Sequence, residues 1–140
     1  MLKLTKLNQF YGQSHTLWDI SLEVQKGECL CVMGRNGVGK TTLMDTIMGQ
    51  HRIESGTIEF DGEDITKLSV EDRASLGIGY VPQGRQIFPL LTVEENLKIG
   101  IGARRDGLKA VPKAIYDMFP VLYDMRHRQG GDLSGGQQQQ

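Results

Sequence analysis

The chain has 140 residues, of which 16 are Lys or Arg and 17 are Asp or Glu, so its formal net charge is −1. This balance argues against a general nucleic-acid binder, because such proteins carry a basic excess. With 39% hydrophobic and 24% charged residues, and no apolar run near the ~18 residues of a membrane span, the composition indicates one globular domain that we expect to be soluble and cytosolic.

The first half of the chain predicts a sheet followed by a helix. Polar and apolar residues alternate from Trp18 to Val24, which predicts a half-buried strand. The apolar run 29–33 predicts a strand buried on both faces, with Cys29 and Cys31 as small buried hydrophobes. Apolar residues at helical spacing over 43–48 predict a helix that ends at Gly49.

Turn and capping signals divide the second half. Asp61-Gly62 predicts a hairpin turn. Ser69 and Thr92 each stand three residues before an acidic residue, which predicts two helix starts. A further short strand is expected over 78–81, and a helix is expected to have Pro112 as its first residue. The order of elements is that of an α/β fold with a local antiparallel piece.

Residues 34–41 read Gly-Arg-Asn-Gly-Val-Gly-Lys-Thr and match the P-loop pattern G-x-x-x-x-G-K-[ST] at each fixed position. Between a strand and a helix, such a loop turns backbone N–H groups toward phosphate oxygens. Lys40 is expected to reach the β- and γ-phosphates, and the Thr41 hydroxyl is expected to ligate Mg²⁺. The loop therefore predicts a site for Mg²⁺ with a nucleoside triphosphate, contacted by Gly34, Asn36, Gly37, Gly39, Lys40, Thr41 and Thr42.

Three further segments resemble motifs of the ABC-type ATPases. Leu-Ser-Gly-Gly-Gln at 133–137 resembles the family signature, and Val-Pro-Gln at 81–83 resembles its Q-loop. Tyr11, which lies 29 positions before Lys40, stands where the family has an aromatic residue that stacks on adenine. Taken alone, Tyr11 is as typical of an ordinary strand end as of a stacking residue, and Gln83 is more typical of a polar loop residue after Pro82.

The resemblance covers essentially the whole chain and implies its organisation. It implies an α/β P-loop NTPase fold of the ABC nucleotide-binding type, with an N-terminal antiparallel β subdomain, the start of a helical subdomain, and the C-terminal part of the core missing. The expected divisions are the ATP-binding core with the β subdomain at 1–83, the helical subdomain at 84–132 and the signature at 133–137.

The resemblance also implies roles for residues beyond the loop. Gln83, catalytic together with Lys40, offers an amide oxygen to Mg²⁺ or to the attacking water, and it heads the segment that touches the membrane partner. The signature binds the γ-phosphate held by the P-loop of a second subunit, so that ATP is sandwiched between two chains. The signature residues in this role are Ser134, Gly135, Gly136 and Gln137.

The full segments that contain these motifs resemble the second ATP-binding subunit of bacterial urea importers, with the branched-chain amino acid importers as nearest relatives. These segments are 34–41, Val-Pro-Gln-Gly-Arg at 81–85, and 133–140. The latter more often have Glu at the positions of Gln83 and Gln137, which favours urea or a short amide as cargo. Three alternatives stay open: a branched-chain amino acid importer subunit, a soluble ABC-type ATPase acting on nucleic acid or ribosomes, and a nucleotide-binding fragment that does not hydrolyse ATP.

The resemblance to a urea importer subunit implies which partners the protein has and where it lies in the cell. The partners are a second ATP-binding subunit in a homo- or heterodimer, transmembrane permease subunits and, indirectly, an extracytoplasmic substrate-binding protein, with no nucleic acid. The subunit is expected to lie peripherally on the cytoplasmic face of the inner membrane.

A family ATPase also needs a later strand ending in Asp-Glu and a switch histidine, and neither occurs before Gln140. His15, His51 and His127 all precede the signature and are expected to be exposed or strand-edge residues. We therefore expect a piece of a longer subunit. Its 140 residues alone should hydrolyse little or no ATP, hold about one turn of the signature helix and expose a sheet edge that favours aggregation.

Overall fold

The computed structural model describes residues 1–84, 86–102, 104 and 107–140. The chain forms two compact units, Met1–Arg73 and Ala74–Gln140. The elements in chain order are β1 (Leu2–Tyr11), β2 (Ser14–Val24), α1 (Lys40–Ile47), β3 (Ser55–Phe60), β4 (Glu63–Asp64), α2 (Val70–Ser75), α3 (Val93–Gly102), α4 (Lys113–Met118), α5 (Pro120–Asp124), a 3-10 turn (Gly130–Asp132) and α6 (Gly135–Gln138).

The first unit is built on an antiparallel sheet with strand order β2-β1-β3-β4. The predicted hairpin joins β3 to β4, and both Asp61 (φ 50°) and Gly62 (φ 83°) take the left-handed conformation that a two-residue turn of this kind needs. Strand β3 also approaches β1 closely, because a Cβ on Gly56 would lie 2.5 Å from the carbonyl oxygen of Lys6. Only glycine fits that position.

Strand β2 contains a bulge that reverses which face its residues occupy. Leu17 and Ile20 pair with Gln9 and Leu7 of β1, so two residues of β2 stand opposite one residue of β1. Asp19, one of these two, has a φ of 46°. An extra residue inverts the alternation beyond it, so Leu17 is 3% exposed and Trp18 is 67% exposed. The predicted alternation is confirmed over 20–24 and wrong for Trp18.

Two predicted strands are not strands. Residues 29–33 form no regular element, Cys29 and Cys31 are exposed, and Met33 is 86% exposed. Residues 78–81 are likewise irregular. A strand exists only through hydrogen bonds to a neighbouring strand, and no other described segment pairs with either stretch. The prediction of two buried cysteines is wrong for the same reason.

The predicted helix starts are confirmed. At Ser69, the hydroxyl accepts from Asp72 N and donates to the Asp72 carboxylate. At Thr92, the Glu95 carboxylate accepts from the backbone N–H at 2.8 Å and the hydroxyl accepts from Glu95 N at 3.2 Å. The bonds at Thr92 form a reciprocal capping box, and at Ser69 the hydroxyl caps the helix start. Pro112 is the residue before α4 rather than its first helical residue, because its ψ of 139° is extended.

The second unit gathers its short helices around a small apolar core. Its buried residues are Val93, Leu122 and Leu133, with Leu97, Tyr116, Phe119, Val121 and Met125 packed around them. Among the residues described, no helix has the length and apolar character needed to cross a lipid bilayer.

Candidate nucleotide-binding site

The phosphate loop, residues 34–41, leads into α1 through glycines that no other residue could replace without strain. Gly37 and Gly39 have φ values of 81° and 96°. A Cβ on Gly39 would lie 3.2 Å from Leu17 Cδ2 and 3.4 Å from the Thr16 carbonyl oxygen. The loop is therefore seated directly on β2. The alternating pattern of β2 did not predict that Thr16 and Leu17 would support the phosphate loop.

The ammonium group of Lys40 lies over the loop. Its Nζ donates to the carbonyl oxygens of Gly34 at 2.8 Å and Arg35 at 2.6 Å. An ammonium has three donors, so two of them hold the loop and one is left for a further acceptor. This places a positive charge where the loop pattern predicts the phosphates.

Helix α1 directs its positive end at the same place. Its first turn reads Lys-Thr-Thr-Leu, without an acidic side chain, so the partial positive charge of the helix start is not neutralised locally. Thr41 is exposed there, and its hydroxyl suits one oxygen ligand of a hard cation such as Mg²⁺. Thr42 is buried in the first unit, together with Leu43, Thr46 and Ile47, so its side chain supports the helix and only its backbone is placed to contact a ligand.

A buried arginine holds the other end of α1. Arg73 donates from Nη1 to the carbonyl oxygens of Thr46 (2.9 Å) and Ile47 (2.8 Å). It also donates to the carbonyl oxygens of Leu68 and Thr66. Burial lowers the pKa of Arg73, yet a guanidinium stays charged in proteins. The sequence offered no signal for this role, since Arg73 is a single basic residue on a short helix.

Tyr11 is the last residue of β1, and it is 47% exposed. Its hydroxyl lies 2.8 Å from His51 Nε2, and the same nitrogen lies 3.7 Å from Asp45 Oδ2 on α1.

The three histidines were expected to be exposed or strand-edge residues. This expectation is wrong for His51, which is half-buried because the segment after α1 returns to the end of β1. It is confirmed for His15, on the edge strand β2, and for His127, which is exposed.

The remaining predicted site residues belong to the second unit. Gln83 is exposed in a turn, and Arg85 lies outside the described residues. Ser134 precedes α6 in a capping box: its hydroxyl accepts from Gln137 N at 3.4 Å, and its own N–H donates to Gln137 Oε1 at 2.9 Å. Gly135 and Gly136 are exposed in the first turn of α6.

The structure thus collects the predicted residues in two groups. The phosphate loop, Thr42 and Tyr11 lie in the first unit, and Gln83 and the signature, residues 133–137, lie in the second. In the described part of the chain, no three His, Cys, Asp or Glu side chains are grouped to hold a metal ion by themselves. The two predicted Mg²⁺ ligands, Thr41 and Gln83, are of other residue types, and they belong to different units.

Comparison with known proteins gives two curated relatives from branched-chain amino acid transport. The chain is 37% identical over 140 residues to the high-affinity branched-chain amino acid transport ATP-binding protein BraG of Pseudomonas aeruginosa, covering 99% of this chain and 60% of the relative. It is 40% identical over 140 residues to the probable branched-chain amino acid transport ATP-binding protein LivF of Archaeoglobus fulgidus, covering 99% of this chain and 59% of that protein. The chain therefore spans about 60% of the length of these relatives.

Solved structures show the same fold. A nucleotide-free ATP-binding cassette from an ABC transporter matches with a TM-score of 0.78 at 27% identity, covering 99% of this chain and 60% of that one. A dimeric cassette bound to ADP and phosphate matches with a TM-score of 0.80 at 24% identity over 99% of this chain and 65% of that chain. The family profile described as ABC transporter matches residues 17–140. The chain has the fold of an ATP-binding cassette and belongs to the ABC transporter family.

Proposed function

We propose that this chain is part of an ATP-binding subunit that energises an ABC importer by binding and hydrolysing ATP. The observation that carries the proposal is the geometry of Lys40, whose ammonium lies on the phosphate loop at the positive end of α1. The loop binds phosphates through its backbone N–H groups. Tyr11 provides the surface for adenine.

The chemistry expected of this site is charge neutralisation and positioning. Phosphoryl transfer depends on holding the triphosphate in line and offsetting the charge that develops on its oxygens. Lys40 and the start of α1 supply positive charge at the phosphates. The Thr41 hydroxyl is the residue of the loop that would hold Mg²⁺, which supplies further charge neutralisation when bound. Gln83 would orient the attacking water or ligate the cation.

The signature would act on the nucleotide of a second subunit. The capping box leaves the first N–H groups of α6, those of Gly135 and Gly136, without intrahelical partners, and both glycines are exposed. The N–H of Gln137 is already used by Ser134 Oγ. A γ-phosphate held by the partner's loop would accept from these free groups. ATP binding would thereby close a dimer that drives transmembrane permease subunits from the cytoplasmic face of the membrane, with a substrate-binding protein delivering the cargo outside.

The cargo that the relatives favour is a branched-chain amino acid. Both relatives described above are named for that transport, so the alternative fits better than the expectation of urea or a short amide. Urea remains the second candidate cargo, because the chain has Gln at positions 83 and 137, where branched-chain amino acid importers more often have Glu. The ATP-binding subunit does not touch the cargo, so the choice rests on kinship and not on local chemistry.

The test is ATP-driven uptake by the subunit at its natural length, assembled with its permease partners in membrane vesicles. We expect uptake of labelled leucine that requires ATP and is abolished by Lys40→Ala. Uptake of urea in place of leucine would move the proposal to the second candidate. ATP binding without hydrolysis in the assembled complex, or retention on RNA without membrane association, would contradict it. The expectation that residues 1–140 alone turn over little ATP is checked by assaying that polypeptide beside the intact subunit.

A further inference from the structure

We propose that His51 is a positioning residue that holds the ring of Tyr11 for the nucleotide base and ties it to α1. This inference rests on the proposed nucleotide site and adds a residue to it. Three side chains carry it. His51 Nε2 lies 2.8 Å from the Tyr11 hydroxyl oxygen and 3.7 Å from Asp45 Oδ2, and the two rings meet edge-on with centroids 5.0 Å apart.

The position of His51 is determined by how α1 ends. Gly49 has a φ of 83°, and its N–H donates to the Thr46 carbonyl oxygen at 3.0 Å. The N–H of Gln50 donates to the Asp45 carbonyl oxygen at 2.9 Å. These two bonds with a left-handed glycine form a Schellman motif, which gives the chain one defined exit direction from the helix. The next residue, His51, is thereby delivered to the end of β1.

Tyr11 needs such a partner. It is the last residue of its strand, and nearly half of its side chain is exposed, so without a contact its ring would sample several rotamers. The hydrogen bond to His51 and the edge-on ring contact select one of them. Holding a ring in its binding orientation before the ligand arrives lowers the entropy lost on binding.

Asp45 of α1 also lies near this pair, although its distance of 3.7 Å from His51 Nε2 is longer than a hydrogen bond. This residue stands on α1, one and a half turns after Lys40, and its carboxylate faces the same His51 nitrogen that contacts Tyr11. The base-stacking ring and the phosphate-binding lysine are thus held by one helix and its C-terminal cap. Stacking accepts any base, so His51 should strengthen the binding of any nucleotide and leave the binding of phosphate chains without a base unchanged.

The experiment is calorimetric titration of the subunit at its natural length with Mg²⁺-ATP and with Mg²⁺-tripolyphosphate. The variants are Tyr11→Phe, which keeps the ring and removes the hydroxyl, His51→Leu, and the pair together. Each single variant should weaken ATP binding by about two- to tenfold, as expected for one net hydrogen bond. The double variant should lose no more than either single one, and tripolyphosphate binding should stay at the wild-type level throughout.

Two controls separate positioning from folding. His51→Gln restores a side chain that can bond the Tyr11 hydroxyl and should recover part of the ATP affinity. His127→Leu changes an exposed histidine of the second unit and should change neither affinity. If His51→Leu does not fold, as judged by its thermal unfolding, Tyr11→Phe and His51→Gln still decide the question because both keep the side chains close to their native size.

Several results would overturn the inference. Unchanged ATP affinity in Tyr11→Phe, additive losses in the double variant, or an equal loss for tripolyphosphate would each show that His51 does not act through the Tyr11 ring. Failure of the proposed function looks different. In that case the wild-type subunit would bind neither ATP nor tripolyphosphate, or Lys40→Ala would leave both affinities unchanged.

Discussion

The guanidinium of Arg73 donates a hydrogen bond of 2.8 Å to the carbonyl oxygen of Ile47, the last residue of α1. Carbonyl oxygens at a helix end have no partners within the helix, and a cation there also interacts favourably with the helix dipole. Since α1 begins with Lys40, the same helix is held by a buried cation at one end and presents the phosphate loop at the other.

Replacing Arg73 by Met should therefore destabilise the first unit strongly. The side chain is 2% exposed and serves four backbone carbonyl groups, so its loss leaves several acceptors without partners, at a cost of about 3 kcal/mol or more in unfolding free energy. Arg73→Lys keeps the positive charge but loses the planar guanidinium group. Its unfolding free energy should therefore lie between that of the wild type and that of Arg73→Met. Urea denaturation measures both, with the exposed Arg52→Met as the matched control. A loss in Arg73→Met as small as that of the control would contradict the role.

Gly39→Ala should weaken both stability and phosphate binding. Its φ of 96° costs an alanine about 1–2 kcal/mol, and the new Cβ would press on Leu17 at 3.2 Å. The loop must shift, so the affinity for ATP should fall by at least about tenfold, because a displaced loop loses charge-assisted bonds of about 1.5–3 kcal/mol each. Titration with ATP checks this. Gly79→Ala, where an added Cβ meets no atom within 4 Å, should bind ATP normally.

Two substitutions of Ser134 separate its structural role from its proposed role at the nucleotide. Ser134→Ala removes the cap of α6 and should cost about 1 kcal/mol of local stability. Ser134→Asp keeps a capping oxygen but adds a negative charge where a γ-phosphate is proposed to bind. Hydrogen exchange at α6 should then be faster in the first variant and near normal in the second, whereas ATP-dependent dimerisation, followed by sedimentation, should be lost in the second. Normal dimerisation of Ser134→Asp would contradict the signature's proposed contact.

The cap at Glu95 should make the start of α3 sensitive to acid. The hydrogen bond from the Thr92 backbone N–H, together with that from its hydroxyl, holds the pKa of Glu95 below its ordinary value of 4.5. A carboxyl whose pKa is lower in the folded state contributes stability above its unfolded pKa, and this contribution disappears as the pH falls through the folded pKa.

Glu95→Gln should accordingly be less stable than the wild type at neutral pH, and the difference should shrink as the pH falls from 4.5 through the lowered pKa of Glu95. Unfolding midpoints measured across this range check the prediction. Glu63→Gln, at an exposed acid on β4, should show a smaller difference at neutral pH. A gap between Glu95→Gln and wild type that persists unchanged into acid would show that the charge of Glu95 plays no part in the cap.

Much of the local structure could be predicted from short stretches of sequence. The helix caps at Ser69 and Thr92, the Asp61-Gly62 turn and the glycine that follows α1, Gly49, all depend on atoms within a few residues of each other. The phosphate loop belongs to the same class, since its glycines, Lys40 and helix start act within eight consecutive positions. Such features are readable because the interacting groups are also neighbours in the chain.

The tertiary structure decided what depends on distant residues. Whether the apolar run 29–33 forms a strand depends on a neighbouring strand, so its composition alone misled the prediction. The bulge at Asp19 turned Trp18 outward through pairing with β1. The contacts of Arg73 with the end of α1, and of His51 with Tyr11, join groups 26 and 40 positions apart. Sequence by itself determined the phosphate loop and the local caps, and only folding could bring these separated side chains into contact, because nothing in a residue's immediate neighbours specifies its partner across the chain.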